Sequence, residues 1–558
     1  MDNYLFEKLC KMSQRPARYV FFACILYLFA HWIFGVHLYE LIFYIFISFA
    51  ISLFFINRIY NYSFKENNHI LTNYIPFCAS ILFFVLSLIL VLKHEAWLDE
   101  AQAYLLVRES KNLLDLFYNT RNEGHPLLWH ILIYPFVHMF DSIESIQIVH
   151  IAISSVSIYI LFKYSPFSAE IKCLLFFNFY ILYEYNIISR NYSLSVLLLF
   201  IMNSMYYVRY KYNKCYGLLL LLLANTNAIG FIITIAIASV EFFECLTEKT
   251  NKKNVYVILV FAMFGILLCL FQILRVDVQG KIPTVELFDD FKLRKAILFS
   301  FFPFPNASFS FWGTNFINDT RNFYFLSIFF YVFITIIFIL RVSIEKAIFY
   351  RFLAIFLGLY AFFTHVYVCS PRHHGFLLLS FVSIEWLLQN NKGIKNIKSN
   401  AYDLINNIFK YAFTFILFLQ SVYGISACFM DYTYEFSCTK SVGNYLSHSG
   451  YSSLQLSSYP DMLAIGVMAY SGIKKCYDPQ SKTINKFIQW GKDRNKCKNL
   501  MEAYKDVKDR AHMLKEKIIF LTNVQLPEFC EDKLLFVSKK QLCPDETHGR
   551  QIYVYLIE

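Results

Sequence analysis

The densest run of groups able to do acid–base chemistry is KHEAWLDEAQAYLLVRESKNLLDLFYNTRNEGHPLLWH, residues 93–130. It offers His94, Glu95, Asp99, Glu100, Gln102 and Arg108, then Glu123 and His125. Read as a helix, Glu100, Tyr104 and Arg108 fall on one face, and Asp99 with Gln102 on an adjacent stripe. Trp97, Ala101 and Leu105 form an apolar face, the pattern of a helix lying at a membrane surface. Carboxylates at such a boundary are partly desolvated, and they tend to find partners or to work. Asp99 or Glu100 held there can accept a proton from a hydroxyl. The plain alternative is a solvated loop.

Two further clusters carry cations. In SPRHHGF, residues 370–376, Pro371 and Gly375 bracket Arg372, His373 and His374 as a turn. Arginine binds phosphate as a planar fork and histidine can donate to it. The alternative is a helix-end cap with snorkelling side chains. In YEYNIISRNYS, residues 183–193, Arg190 and Tyr192 meet the same membrane face. His125 followed by Pro126 marks a helix start.

The elements that must position these groups are membrane helices. Of 558 residues, 57% are hydrophobic and 16% charged, against about 25% charged in a soluble domain. Mean hydropathy is +0.44. These values exclude a soluble enzyme, a disordered chain and a collagen-like one. The net charge of +11 is spread over short loops between apolar runs, which fits topology signals and not a nucleic-acid face. Spans are expected near residues 20–36, 38–56, 74–92, 144–162, 173–188, 194–208, 215–230, 231–246, 255–274, 323–340, 347–368, 376–390 and 408–428. The first is read as a permanent anchor. The basic clusters at Lys8–Arg18, Arg209–Lys214, Lys249–Lys253 and Lys392–Lys398 all fall on the inner side. Residues 93–143, the Arg190 loop, residues 275–322, the Arg372–Gly375 turn and the tail then lie outside.

The apolar stretch 127–140 reaches only about 21 Å as a helix, short of a hydrocarbon core of about 30 Å. It is expected to be re-entrant or interfacial. The tail, residues 429–558, is more charged and contains strand-like pieces such as KIIFLTNV and QIYVYLIE. Its cysteines, Cys438, Cys476, Cys497, Cys530 and Cys543, with Cys428 at the membrane edge, can pair in an oxidising compartment, in a connectivity the spacing does not give. No Cys/His spacing suggests zinc. There is no Walker A loop, GxGxxG or HExxH. An activated group would therefore have to arrive on a lipid.

HEAWLDEAQAYLLVRES and EGHPLLWHILI resemble the first extracytoplasmic loop of bacterial members of the GT-C glycosyltransferase superfamily. That branch carries His-Glu-x-Trp-x-Asp-Glu-Ala-Gln-Ala-Trp, then Glu-Gly-His-Pro-Pro-Leu-Trp, an Arg-x-Tyr and a late Arg-His-His-Gly. All four occur here in order, over about residues 90–390. Tyr104 stands in place of Trp and Leu127 in place of the second Pro. The resemblance implies a fold that is all-α and polytopic, with about thirteen transmembrane helices and a small C-terminal extracytoplasmic α+β domain. The domains would be an added hairpin at 1–73, a catalytic membrane domain at 74–428 and the tail at 429–558. It implies sugar transfer from a polyprenyl-phosphate donor to a cell-surface glycan or lipid acceptor, outside a bacterial inner membrane. Asp99 would be the catalytic carboxylate, with Glu100 second. Arg372, His373 and His374 would hold the lipid phosphate, with His125 and Arg190 as lesser candidates. Arg108, Glu123 and Tyr192 would support them.

Some members of that superfamily need a divalent metal. This loop has no Asp-x-Asp pair, so no metal and no cofactor beyond the lipid-linked donor are expected. The expected partners are that donor, the acceptor and membrane lipids, with no nucleic acid. The rivals are a flippase or transporter for a lipid-linked glycan, which needs polar groups near the bilayer midplane, and a glycan polymerase or ligase.

Overall fold

The computed structural model describes residues 69–247, 252–274, 290–305, 311–319, 324–366, 369–391, 400–490, 497, 499–539 and 551–558. The spans expected at 20–36 and 38–56, and Cys543, lie outside the described residues. Among those described, seven helices are long and apolar enough to cross a membrane: Tyr74–Val91, Glu144–Tyr164, Ala228–Thr247, Lys252–Ile273, Tyr324–Val342, Lys346–Val366 and Tyr402–Thr433. Their outer faces leave large apolar side chains such as Phe77, Leu82, Val260, Phe264 and Leu267 exposed, as lipid contact allows.

Shorter helices fill the interior. Asn213–Ala224 packs on Lys252–Ile273 so closely that a Cβ on Gly265 would lie 2.6 Å from Leu221 Cα, the small-residue approach that membrane helices favour. Two buried arginines here are paired with glutamates, because an uncompensated charge is costly. Arg341 grips Glu385 with two hydrogen bonds of 2.9 and 3.0 Å. Arg209, expected to serve only as a topology signal, is buried and bonded to Glu241 at 2.8 Å.

The stretch expected to span at 173–188 is broken. Helix Ala169–Phe176 ends, and Asn178 restarts the chain by accepting the Tyr180 and Ile181 N–H groups at 3.0 and 3.4 Å. Its side-chain amide donates to Gln420 at 2.6 Å, fixing the break against the long last membrane helix. A π-helical turn, Phe179–Glu184, follows and delivers Ser189 and Arg190 to one end of the bundle.

The tail folds around a six-stranded sheet: β1 (Gln455–Tyr459), β2 (Cys476–Asp478), β3 (Thr483–Asn485), β4 (Ile518–Thr522), β5 (Lys533–Val537) and β6 (Tyr553–Ile557). The order is β3-β2-β1-β4-β6-β5, with β1 parallel to β2 and β4 and the other pairs antiparallel. The strand-like pieces read from the sequence are β4 and β6. Strand β4 is buried along its whole length, as expected for a central strand of a mixed sheet covered by helices on both faces. Helix Leu500–Leu514 covers one face with Ala503, Tyr504, Val507 and Ala511. Helix Met462–Ser471 covers the other.

That second face shares one core with the first loop. Leu456, Ile465 and Met468 of the tail pack together with Ala101, Leu105, Trp129 and Ile133. Helix Leu98–Arg108 is therefore no surface helix: Glu100 through Val107 are all buried. The tail supplies the apolar cover that the sequence pattern assigned to lipid. Cys428, Cys438, Cys476, Cys497 and Cys530 carry free thiols, so among the described residues no tail disulfide forms.

A shared core requires the first loop and the tail to lie on the same side of the membrane. Cysteines introduced at the exposed positions Lys111 and Ser447 should react equally with an impermeant maleimide in intact cells. Labelling of one and protection of the other would contradict this packing.

Candidate active site

The site is assembled around His94, one residue beyond the turn that ends the first described span. Its Nδ1 lies 2.7 Å from Asp431 Oδ2 and its Nε2 3.2 Å from Glu100 Oε2. Burial alone would push the imidazole down. The Asp431 and Glu100 carboxylates outweigh it and hold the ring at about 10, so His94 is a cation between two acids.

Glu100 is fully buried and spends both oxygens. One accepts from His94 and from the Trp97 N–H at 3.1 Å. The other accepts the Ser189 N–H at 2.6 Å. This corrects its expected place as alternative base: both oxygens are engaged inside the protein, by His94 and two backbone N–H groups. Glu100 instead ties the loop carrying Arg190 to the helix carrying Asp99.

Asp99 is thereby set against two cations. Its Oδ2 accepts from Arg190 Nη1, and Arg372 Nη2 lies 3.4 Å from the same oxygen. Burial pushes the Asp99 carboxyl up, and Arg190 followed by Arg372 overcomes this and holds it below the usual carboxylate range. The Arg372 guanidinium lies over Trp97 at 5.0 Å and Trp312 at 5.9 Å. Arg190 lies over Tyr192 at 5.4 Å.

Residues 372–375 form no turn. Pro371 opens helix Pro371–Asn390, its fixed φ and missing N–H suiting the first helical position. Arg372 thus sits in the first turn, at the positive end of the helix dipole. Gly375 is required by close approach: a Cβ there would lie 2.3 Å from the Tyr180 ring and 2.5 Å from Tyr185 Oη. That Tyr185 hydroxyl donates to the Arg372 carbonyl at 2.6 Å.

The two histidines part ways. His373 Nδ1 accepts the Ser370 N–H at 3.1 Å, so in a neutral ring the proton sits on Nε2, which donates to Tyr192 Oη at 3.0 Å. His373 caps the helix and orients Tyr192. This corrects its expected role as a phosphate cation. His374 turns away into an aromatic setting, 5.1 Å from Phe363 and 5.7 Å from Phe299, and does not line the site. Arg108 is likewise removed from it. It pairs with Glu109 at 3.0 Å and lies over Tyr104.

Asp99, Glu123, His125, Arg190, Tyr192, Arg372 and His373 border one cavity of about 750 Å³. Away from this polar end, the cavity runs between membrane helices past Ile229, Ile232, Leu270, Ile273, Ala361 and Phe362. Burial, then the charge of Arg190, push His125 down to about 4. It is a neutral hydrogen-bonding group at pH 7 and not the expected cation. Glu123 accepts from Gln102 Nε2 at 2.8 Å, and burial pushes it up to about 8. The short helix Leu128–Phe140 contributes Trp129 and His130 to the wall. Among the described residues no group of three or more His, Cys, Asp or Glu is placed to hold a metal ion.

Asp431, Trp312 and Trp490 shape the site without any local sequence signal, and Ser189 does so through its backbone N–H alone. Each comes from a segment remote from the first loop.

No protein-family model matches the chain, and no curated protein matches it by sequence. Two crystal structures of ArnT from Cupriavidus metallidurans are similar in fold. The one bound to undecaprenyl phosphate has a TM-score of 0.45 at 9% identity, and the apo one 0.44 at 8%. Each alignment covers 85% of this chain and 97% of that one.

One acid beside the site responds to pH. Glu95 is buried against the tail, where its Oε2 accepts the Ser437 N–H at 3.2 Å. Burial, then the Glu435 charge, raise it from 4.5 to about 7. The folded state holds a proton that the unfolded state has lost. The associated stability is complete below 4.5 and disappears as pH rises through 7. Unfolding in lipid nanodiscs should thus be easier at pH 8 than at pH 5, by up to about 3 kcal/mol from this group. Glu95→Gln should flatten that slope; an unchanged slope would assign it to another group.

Proposed function

We propose that the chain is a membrane glycosyltransferase that moves a sugar from a polyprenyl-phosphate carrier to a hydroxyl of a glycan or lipid acceptor. The reading follows the sequence resemblance to GT-C enzymes. The observation that carries it is the cavity itself. Two guanidiniums flank one carboxylate at its polar end, and an apolar limb leads from there between membrane helices.

Charge balance explains why that combination suits this donor. Asp99 with Arg190 and Arg372 carries one net positive charge in a partly dry site, which favours a monoanion. A polyprenyl-phosphate sugar is a phosphodiester and brings a single negative charge. Its chain belongs in the apolar limb. When its phosphate shares the two guanidiniums, Asp99 loses part of the attraction that depresses its basicity. Donor binding thereby readies the base.

The acceptor hydroxyl then attacks the anomeric carbon. Its oxygen forms the new bond, the bond from that carbon to the phosphate oxygen breaks, and the hydroxyl proton passes to Asp99. The carrier leaves as a phosphate monoester dianion held by both guanidiniums. The cluster is neutral before and after, so no charge is stranded. A single in-line displacement inverts the anomeric configuration. Two guanidiniums supply the countercharge, so the step as written routes nothing through a metal. On this reading residues 74–428 form the catalytic domain, 1–73 an added hairpin and 429–558 an extracytoplasmic domain, in a bacterial inner membrane with the site outside. A flippase would need polar groups along the bilayer depth, whereas here the charges gather at one end of the cavity. A polymerase or ligase would use the same carrier with a glycan in place of a single sugar as donor.

Asp99→Asn should lower transfer by about 10²–10⁴-fold while binding of farnesyl phosphate is kept, since both guanidiniums remain. Normal turnover in that variant would remove Asp99 from the chemistry. Arg372→Ala should lose most farnesyl phosphate affinity in nanodiscs, and Arg372→Lys should recover only part, because an ammonium cannot replace the planar fork. Unchanged affinity in Arg372→Ala would leave Arg372 a helix-end residue and nothing more.

A further inference from the structure

Among the described residues the tail reaches the cavity at Trp490, and the segment that carries it is held by one amide of the first loop. Gln102 is buried one turn beyond Asp99 on the same helix face. Its Oε1 accepts the Ile488 N–H at 2.9 Å, and its Nε2 donates to the Ile488 carbonyl at 2.9 Å. One side chain thus pairs with both main-chain groups of a tail residue, as one strand pairs with another. The same Nε2 also donates to Glu123. Phe487 and Ile488 are buried in the core that the tail shares with the first loop. Two residues on, Trp490 is only half-buried, lines the cavity and hydrogen-bonds to Glu123. Glu123 in turn lies close enough to Asp99 to feel its charge.

We propose that Trp490 and Glu123 form the acceptor subsite, and that the attacking unit of the acceptor is a pyranose ring. This rests on the reading of Asp99 as the base. With the carrier phosphate on the guanidiniums and its chain in the apolar limb, the space beside Asp99 is what remains for the hydroxyl that attacks. The tail fills one edge of that space with an indole, and the first loop adds a carboxyl and an amide beside it. A flat apolar surface edged by planar polar groups matches a sugar ring, which has a C–H face and hydroxyls around its rim. A phosphate-bearing head group fits poorly, because Asp99 and Glu123 would face it with carboxyl groups. Glu123, pushed up to about 8 by burial, keeps a proton at neutral pH and can donate it in a hydrogen bond to a ring hydroxyl. Gln102 is then a positioning residue: it holds the Ile488 main chain and the Glu123 carboxyl, so its work is to set the indole and the acid beside it.

The probe is a panel of methyl glycopyranosides of glucose, galactose, mannose and glucosamine, with the full chain in nanodiscs and farnesyl phosphate bound. Saturation transfer from protein to sugar ring protons reports contact, and titration gives the affinity, expected in the millimolar range. At least one glycoside should bind the native protein. Trp490→Ala should weaken it about tenfold or more, Trp490→Phe should restore most of it, and Gln102→Ala should weaken it with Trp490 intact. Farnesyl phosphate affinity should be unchanged in all three. The proposal is overturned if no glycoside binds the native protein, or if binding survives Trp490→Ala. It is also overturned if Trp490→Ala loses farnesyl phosphate as well, which would make the indole a packing residue. Failure of the native protein to bind farnesyl phosphate is a different result, and defeats the glycosyltransferase reading instead.

Discussion

A protonated imidazole buried between two carboxylates joins the first loop to the last membrane helix. His94 costs desolvation energy and has it returned by Asp431 and Glu100, and removing both acids would leave an uncompensated buried charge. The geometry that follows is determined link by link. Glu100, held by His94, fixes the Ser189 N–H. Ser189 places Arg190, and Arg190 meets the carboxylate next in sequence to Glu100. Two adjacent acids thus divide the labour: one is spent inside the protein and the other faces the cavity. The pair works because a helix points successive side chains about 100° apart.

Much of the fold was legible in the sequence because its signals are local. Long apolar runs predicted the membrane helices described from Tyr74 to Thr433, and short strand-like runs in the charged tail predicted β4 and β6. The break at Asn178 was not legible. A polar residue in an apolar run reads as a tolerated interruption, and its effect depends on Gln420, far along the chain. The surface-helix reading of residues 98–108 failed for a related reason. An apolar face says that something covers it, without saying whether lipid or protein does.

The site was legible to the same depth. Asp99, Arg190 and Arg372 were singled out from charge near a membrane boundary, and the structure joins them. Choosing between Asp99 and Glu100 required the partners of Glu100, whose three side-chain hydrogen bonds come from His94 and two backbone N–H groups. Backbone donors leave no trace in residue type. His373 and His374 are adjacent in sequence and chemically identical, yet one caps a helix and the other packs among phenylalanines. The neutral state of His125 likewise comes from burial beside Arg190, a property of the assembled site.

The contacts that complete the loop helix span 337 residues from His94 to Asp431 and 386 from Gln102 to Ile488. During synthesis this helix is made early, and its partners emerge hundreds of residues later. Until they do, its apolar and acidic faces have nothing to rest against, and the membrane bundle around it holds an open, half-lined cleft. Pairings this distant must await loop closure and form late. The order of translation therefore acts as a safeguard: a ribosome-bound or truncated chain carries the carboxylate and both guanidiniums but lacks the clasp that aligns them.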